Sequence, residues 1–262
     1  MERLWDDGFD GLLPEVAPWV KKSIARKLKT QGKLVLVSAV CPDYEHDGHS
    51  FTYRAVSGGV PYIAKQHLRI AHMLHERLAK EGVPLEYHVT LADTEFDLPS
   101  VMKKMAQGDP ERFLSLCESS CEAIKTDARA LGLPLASCRR FTEAFPAWLP
   151  TYHEIRDAVW TESETISSVA MDIGSTVAKR WPLYAAMSAD PVDEAYCKEM
   201  AIRQLAQYAV WGRLAEDTFG NGIVMMNHST PNLGRVNHLL ARKGKERIPI
   251  LQLALSTVPL AL

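Results

Sequence analysis

No apolar run in this chain of 262 residues reaches the roughly 18 residues that a membrane-spanning helix needs. The start also lacks a positive segment followed by an apolar stretch, so a secretory signal is not expected. Charge of one sign is missing too. The net charge is −2 and the pI is near 6.5, so bulk charge does not mark a nucleic-acid binder and leaves only a local patch for that role. Paired cysteines are absent. The five, Cys41, Cys117, Cys121, Cys138 and Cys197, are odd in number and lack the spacing of a disulfide framework or a zinc ribbon. A reducing, cytoplasmic setting is the expectation. Internal repeats, low-complexity tracts and an obvious domain linker are also missing. What remains is an ordinary globular composition, 47% hydrophobic, with a length that allows one large α/β domain or two small ones.

The stretch that organises the chain is LVLVSAVCPDYEHDGHSFTY, residues 34–53. Its first half, Leu34 to Val40, is a continuous apolar run, the pattern of a strand buried on both faces. Its second half is a polar loop that runs to about Pro61. Such loops usually take about 2–6 residues, and long ones are more often functional. Before the strand, Pro18 opens a basic helix that Gln31-Gly32 ends. After the loop, Ile63, Leu68, Ile70, Leu74 and Leu78 recur at helical spacing from Tyr62 to Gly82. Leu85 to Ala92 is a second strand. Two strands joined by one helix form a right-handed βαβ unit, so Cys41 and Asp93 are expected at the same sheet edge.

Further on, residues 98–132 read as two helical pieces. The break is at Gly108-Asp109-Pro110, with Asp109 as cap and Pro110 at the first helical position. Leu133 to Phe141 is a third strand, and Phe145 to Pro150 an aromatic connector. Residues 152–190 read as helix with a break near Pro182. A long helix from Pro191 to Asp217 is capped by Asp190. Ile223 to Met226 is a strand ending in Asn227-His228-Ser229. A helix over Gly234 to about Leu240 and a strand over Ile248 to Leu255 complete the pattern. The fold class is α/β: a Rossmann-like open, mostly parallel sheet flanked by helices. It is one catalytic domain over 1–262, with a helical insertion at about 145–190.

Three polar groups sit at strand ends, where open parallel sheets bind ligands. Cys41 is either a buried structural thiol or a nucleophile, activated by N–H groups of the loop and oriented by His228. Asp93, Glu95 and Asp97 put three carboxylates within five residues. They suit a helix start, a divalent cation for nucleotide-sugar chemistry, or a cationic substrate group such as a guanidinium. Asn227, His228 and Ser229 form the third group. His46 and His49 lie in the long loop, and His67, His72 and His75 on the helix after it. Neither set closes a ligand shell, so no metal is expected. Lys21, Lys22, Arg26, Lys27 and Lys29 read as a solvated helix face or as contacts for a phosphate backbone.

These residues also carry a resemblance. The turn Ala39-Val40-Cys41-Pro42, followed by Tyr44, is similar to the Gly-x-Ser-Pro-like turn of cyclodipeptide synthases, whose serine accepts an aminoacyl group. The late helix AIRQLAQYAVWGRLAED followed by IVMMNHSTPN resembles the helix of those enzymes with its Tyr-x-x-x-Glu pair, and the short strand after it. The likeness spans roughly 34–240. It departs from the family pattern at Cys41 for serine, Ala39 for glycine, and a non-acid for the helix glutamate.

The resemblance implies a fold like the catalytic domain of class I aminoacyl-tRNA synthetases. It also implies a transferase of secondary-metabolite biosynthesis that takes aminoacyl-tRNA and releases a small amide-bonded product. Cys41 would accept the acyl group, with Tyr208 and His228 positioning the amine and relaying a proton. Ala39, Pro42, Asp43, Tyr44, Asp93, Glu95, Asp97, Gln204, Asn227 and Ser229 would line the substrate. Lys21, Lys22, Arg26, Lys27, Arg139 and Arg140 would meet tRNA phosphates. No cofactor is implied. Some fungal enzymes of this reaction type take arginine, which would suit the acidic cluster. Two rival readings stay open: a metal-dependent nucleotide- or nucleotide-sugar-using transferase built on Asp93 and Glu95, and a non-catalytic Rossmann-like binding protein.

Overall fold

Seven consecutive residues, Leu34–Val40, form strand β1, and every one of them is buried. A central strand in a parallel sheet has this pattern because both of its faces are covered. The computed structural model describes residues 16–42, 44–46, 51–53, 56–94, 98–220, 222–228 and 248–253. Helix α1, Pro18–Gln31, leads into β1 and ends on Gly32, whose φ of 67° is left-handed and favours glycine. After β1 the chain forms β2, Tyr44–His46, and β3, Phe51–Tyr53, an antiparallel hairpin inside the expected long loop. Helix α2, Tyr62–Lys80, then returns the chain to β4, Leu85–Leu91. Helices α3, Pro99–Ala106, and α4, Pro110–Ala130, break where expected. The Asp109 carboxylate caps α4 by accepting from the N–H groups of Glu111 and Arg112. Strand β5, Leu135–Arg140, runs directly into a single turn of helix, α5, Phe141–Ala144.

The next stretch departs from expectation in two places. Pro182 does not break the helix. It lies inside α7, Ser167–Met187, and the interruption falls at Ile166, whose backbone is extended at the end of α6, Trp148–Thr165. Pro182 removes the bond to the Ala178 carbonyl. Both residues are exposed, so solvent can take that bond's place. Nor does Asp190 cap the next helix. Helix α8, Glu194–Phe219, starts later, and Asp193 caps it by accepting from the Tyr196 N–H at 2.8 Å. Asp190 is instead part of a clasp to α3. Its carboxylate meets Lys103 at 3.0 Å, the Ser100 and Ser188 hydroxyls bond each other at 2.5 Å, and the Ala189 N–H donates to the Ser100 carbonyl. Strands β6, Ile223–His228, and β7, Ile250–Leu253, finish the sheet. The helix expected at Gly234 lies outside the described residues, as does Leu255.

The sheet has five strands in the order β5-β4-β1-β6-β7, and all four pairings are parallel. The carboxyl ends of β1, β4 and β6 therefore share one edge. The pair Val40↔Leu91 and the bond from the Ala92 N–H to the Val40 carbonyl set Cys41 beside the residues after β4. Helices α2, α3 and α4 pack together, as do α6, α7 and α8. Trp211 ties α8 to the sheet: its indole N–H donates to the Thr90 hydroxyl at 3.1 Å, which donates on to the Ser38 carbonyl at 2.8 Å. The hairpin lies between the two groups, with β2 against α2 and β3 against α7.

Candidate active site

Between the sheet edge and α8 lies a cavity of about 700 Å³ including its open mouth. The sheet contributes Ala39, Val40 and Cys41 from β1, Ala92 from β4 and Asn227 from β6. Met200, Arg203, Gln204, Gln207, Tyr208 and Trp211 come from α8, at the three- and four-residue steps that put side chains on one helix face. Leu98, Phe141, Tyr184 and Met187 complete the lining. Arg203 is the charged residue of this lining, and it is paired with Glu199 at 2.8 Å. The wall is otherwise apolar or neutral, the usual make-up of a small-molecule pocket.

Cys41 is the one thiol of five that is not buried, and it sits at this cavity. Proline lacks an N–H, so Pro42 gives no donor directly after Cys41. Loop donors begin at Asp43, which lies outside the described residues. Across the cavity, the Tyr184 hydroxyl donates to Gln204 Oε1 at 3.0 Å. Gln204 also bonds Tyr208, and Arg180 reaches the hydroxyls of both Tyr184 and Tyr208. Burial pushes the Tyr208 phenol above its ordinary value, Arg180 pulls it down, and nearby Cys41 pushes it up again. Tyr208 is therefore a neutral phenol at neutral pH. On the far side, the Gln207 amide donates to the Thr94 hydroxyl at 2.9 Å, which fixes α8 over the end of β4.

The structure thus brings together Ala39, Cys41, Gln204, Tyr208 and Asn227. It turns Asp93 another way. That side chain is fully buried and does not line the cavity. One carboxylate oxygen accepts from the Thr142 N–H at 3.1 Å and the other from the Thr142 hydroxyl, so Asp93 holds the first turn of α5. The Arg140 guanidinium lies 3.7 Å away and also pairs with Glu118 at 3.0 Å. Burial raises the Asp93 carboxyl above its ordinary value, and the Thr142 bonds and Arg140 oppose this. A carboxylate engaged in this way is not open to a metal or a substrate. Among the described residues no cluster of three or more metal-ligating side chains occurs.

Asp43, Glu95, Asp97, Ser229, His49 and the side chains of Tyr44, His46 and His228 lie outside the described residues. Of the basic residues, Lys22, Arg26 and Arg139 are exposed and Lys21 is half-buried. Lys27 is buried, which lowers its ammonium below the ordinary lysine value against the pull of Glu216. Lys27 therefore faces into the protein, and Arg140 is engaged by Asp93 and Glu118. Sequence reasoning missed Arg203, Gln207, Tyr184 and Trp211. The one-face spacing of α8 around Tyr208 was the signal that could have found the three on that helix.

The sequence matches no protein-family model and no curated protein. Solved structures are more informative. A cyclodipeptide synthase (CDPS) from Staphylococcus haemolyticus superposes with a TM-score of 0.50, covering 90% of this chain and 93% of its own at 11% identity. A CDPS from Fluoribacter dumoffii gives 0.51, covering 84% of this chain and 89% of its own at 12% identity. The fold is that of the cyclodipeptide synthases. The likeness covers most of both chains. In this cyclodipeptide-synthase fold, the cavity lies at the carboxyl edge of the strands, where an open parallel sheet binds its ligand.

Proposed function

We propose that the protein is a transferase that takes aminoacyl groups from aminoacyl-tRNA and joins two of them into a cyclodipeptide or a related amide-bonded small molecule. The observation that carries this reading is the position of Cys41. It is the one accessible thiol, at the strand-edge cavity, with Gln204, Tyr208 and Asn227 around it.

In the first step the Cys41 sulfur attacks the carbonyl carbon of an aminoacyl ester. A C–S bond forms, the C–O bond to the ribose breaks, and the thiol proton ends on the departing ribose oxygen. The amine of a second aminoacyl-tRNA then attacks the thioester. A C–N bond forms and the thiolate is released. The free amine of the dipeptidyl ester closes the ring and frees the second tRNA. Tyr208 stays protonated and donates a hydrogen bond to the oxygen that gains charge in each attack. His228, next to Asn227, relays the proton. The exposed Lys22, Arg26 and Arg139, with Lys21, offer cations to tRNA phosphates. A cationic amino acid such as arginine is assigned to the second acyl group, with Glu95 and Asp97 as its partners.

The test is intact-mass spectrometry of the protein after incubation with charged tRNAs. The expected result is an aminoacyl adduct on Cys41 that hydroxylamine removes and that Cys41→Ala lacks. Full product formation by Cys41→Ala would end this reading.

A further inference from the structure

Asn227 is 1% exposed, and neither its Oδ1 nor its Nδ2 has a hydrogen-bond partner among the described residues. It is on β6 one residue beyond the Ser38↔Met226 pair, and it lines the cavity. A buried primary amide with both ends unpaired destabilises a fold, and native proteins rarely keep one without a use. Its neighbours in the wall are apolar or already engaged. Trp211 donates to Thr90, Gln207 to Thr94, and Gln204 accepts from Tyr184.

The amide offers one acceptor and an N–H donor side by side. A ligand group that both donates and accepts satisfies it. A cation, with donors alone, leaves Nδ2 unpaired and also meets the Arg203 guanidinium in the same wall. A carboxylate leaves Oδ1 unpaired. The rest of the cavity, with Leu98, Met187, Met200 and Phe141, suits an apolar body.

We infer that the Asn227 carboxamide reads the end of the first aminoacyl side chain. It selects a neutral residue with an apolar stem and a terminal hydroxyl or carboxamide. This rests on the reading of the site given under Proposed function. Sites that pair a buried polar group with a substrate hydroxyl reject the analogue lacking it by as much as about 10⁴–10⁵-fold.

The experiment offers matched pairs of charged tRNAs, tyrosyl with phenylalanyl and glutaminyl with methionyl, and counts Cys41 adducts by intact mass. The expected result is a preference of about 10²-fold or more for the polar member of at least one pair. Asn227→Leu should erase that preference while phenylalanyl and methionyl adducts still form. The isosteric Asn227→Asp, which loses the donor, should admit arginyl. Adducts with no preference in either pair, or an equal loss for all four groups in Asn227→Leu, would overturn the inference and leave the proposed function standing. No adduct from any charged tRNA would remove both.

Discussion

The Asp93→Ala change tests what that carboxylate does. The wild-type side chain accepts two hydrogen bonds from Thr142 and faces Arg140 at 3.7 Å. Hydrogen bonds to a charged acceptor contribute about 1.5–3 kcal/mol each. Part of that is offset because burial already disfavours the ionised form of Asp93. The net cost of the alanine is about 2–4 kcal/mol, since it strands the Thr142 N–H and leaves Arg140 to Glu118 alone. For a chain of this size the loss corresponds to a fall in Tm of about 4–16 °C. Asp93→Asn keeps an acceptor for the Thr142 N–H and gives the hydroxyl a donor, so it should stay within about 1 kcal/mol of wild type.

Burial raises the folded carboxyl above its unfolded value, so its proton-linked stability is present at low pH and is lost as pH rises through the folded value. Asparagine should remove that slope. Thermal unfolding followed by far-UV circular dichroism reads all three proteins. An alanine variant that melts with the wild type yet makes no product would refute the argument and return Asp93 to the substrate.

Two further outcomes follow from the same geometry. Tyr208→Phe takes one hydroxyl from the network with Gln204 and Arg180, so it should cost about 1–2 kcal/mol of stability and lower product formation by about 10²–10⁴-fold, and unaltered turnover in a steady-state assay would remove the phenol from the chemistry. His88 is buried between Glu86 at 3.0 Å and Ser137 at 2.8 Å, and burial holds its imidazolium form below the ordinary histidine value, with Glu86 opposing. The contribution of His88 is therefore full above about pH 6.5 and declines as pH falls below it. Melting curves of wild type and His88→Gln between pH 8 and pH 5 should converge on acidification, and divergence would mean that the pair with Glu86 dominates.

The parts of the fold that could be read from the sequence are those set by local pattern. The apolar runs at 34–40 and 85–91, with one amphipathic helix between them, fixed parallel strands and a shared edge, and that edge carries the cavity. The parts that could not be read depend on distant partners. Asp93 looked like a ligand for metal or substrate because Thr142, which occupies it, is far along the chain. Asp190 looked like the cap of the helix after Pro191, but Ser100 and Lys103 on another helix hold it instead. Pro182 was read by its own chemistry, without the exposure of Ala178 that makes its helix tolerable. Asn227 was legible as a strand-end polar residue. That its amide has no partner among the described residues was not, because hydrogen-bond satisfaction is a property of the packed state.

The clasp of Ser100, Lys103, Ser188 and Asp190 bears on the shape of the cavity. It pins the exit of α7 to α3, next to Met187 and Leu98 of the cavity wall. Two residues of the cavity wall are thus held in place by polar groups that lie outside it.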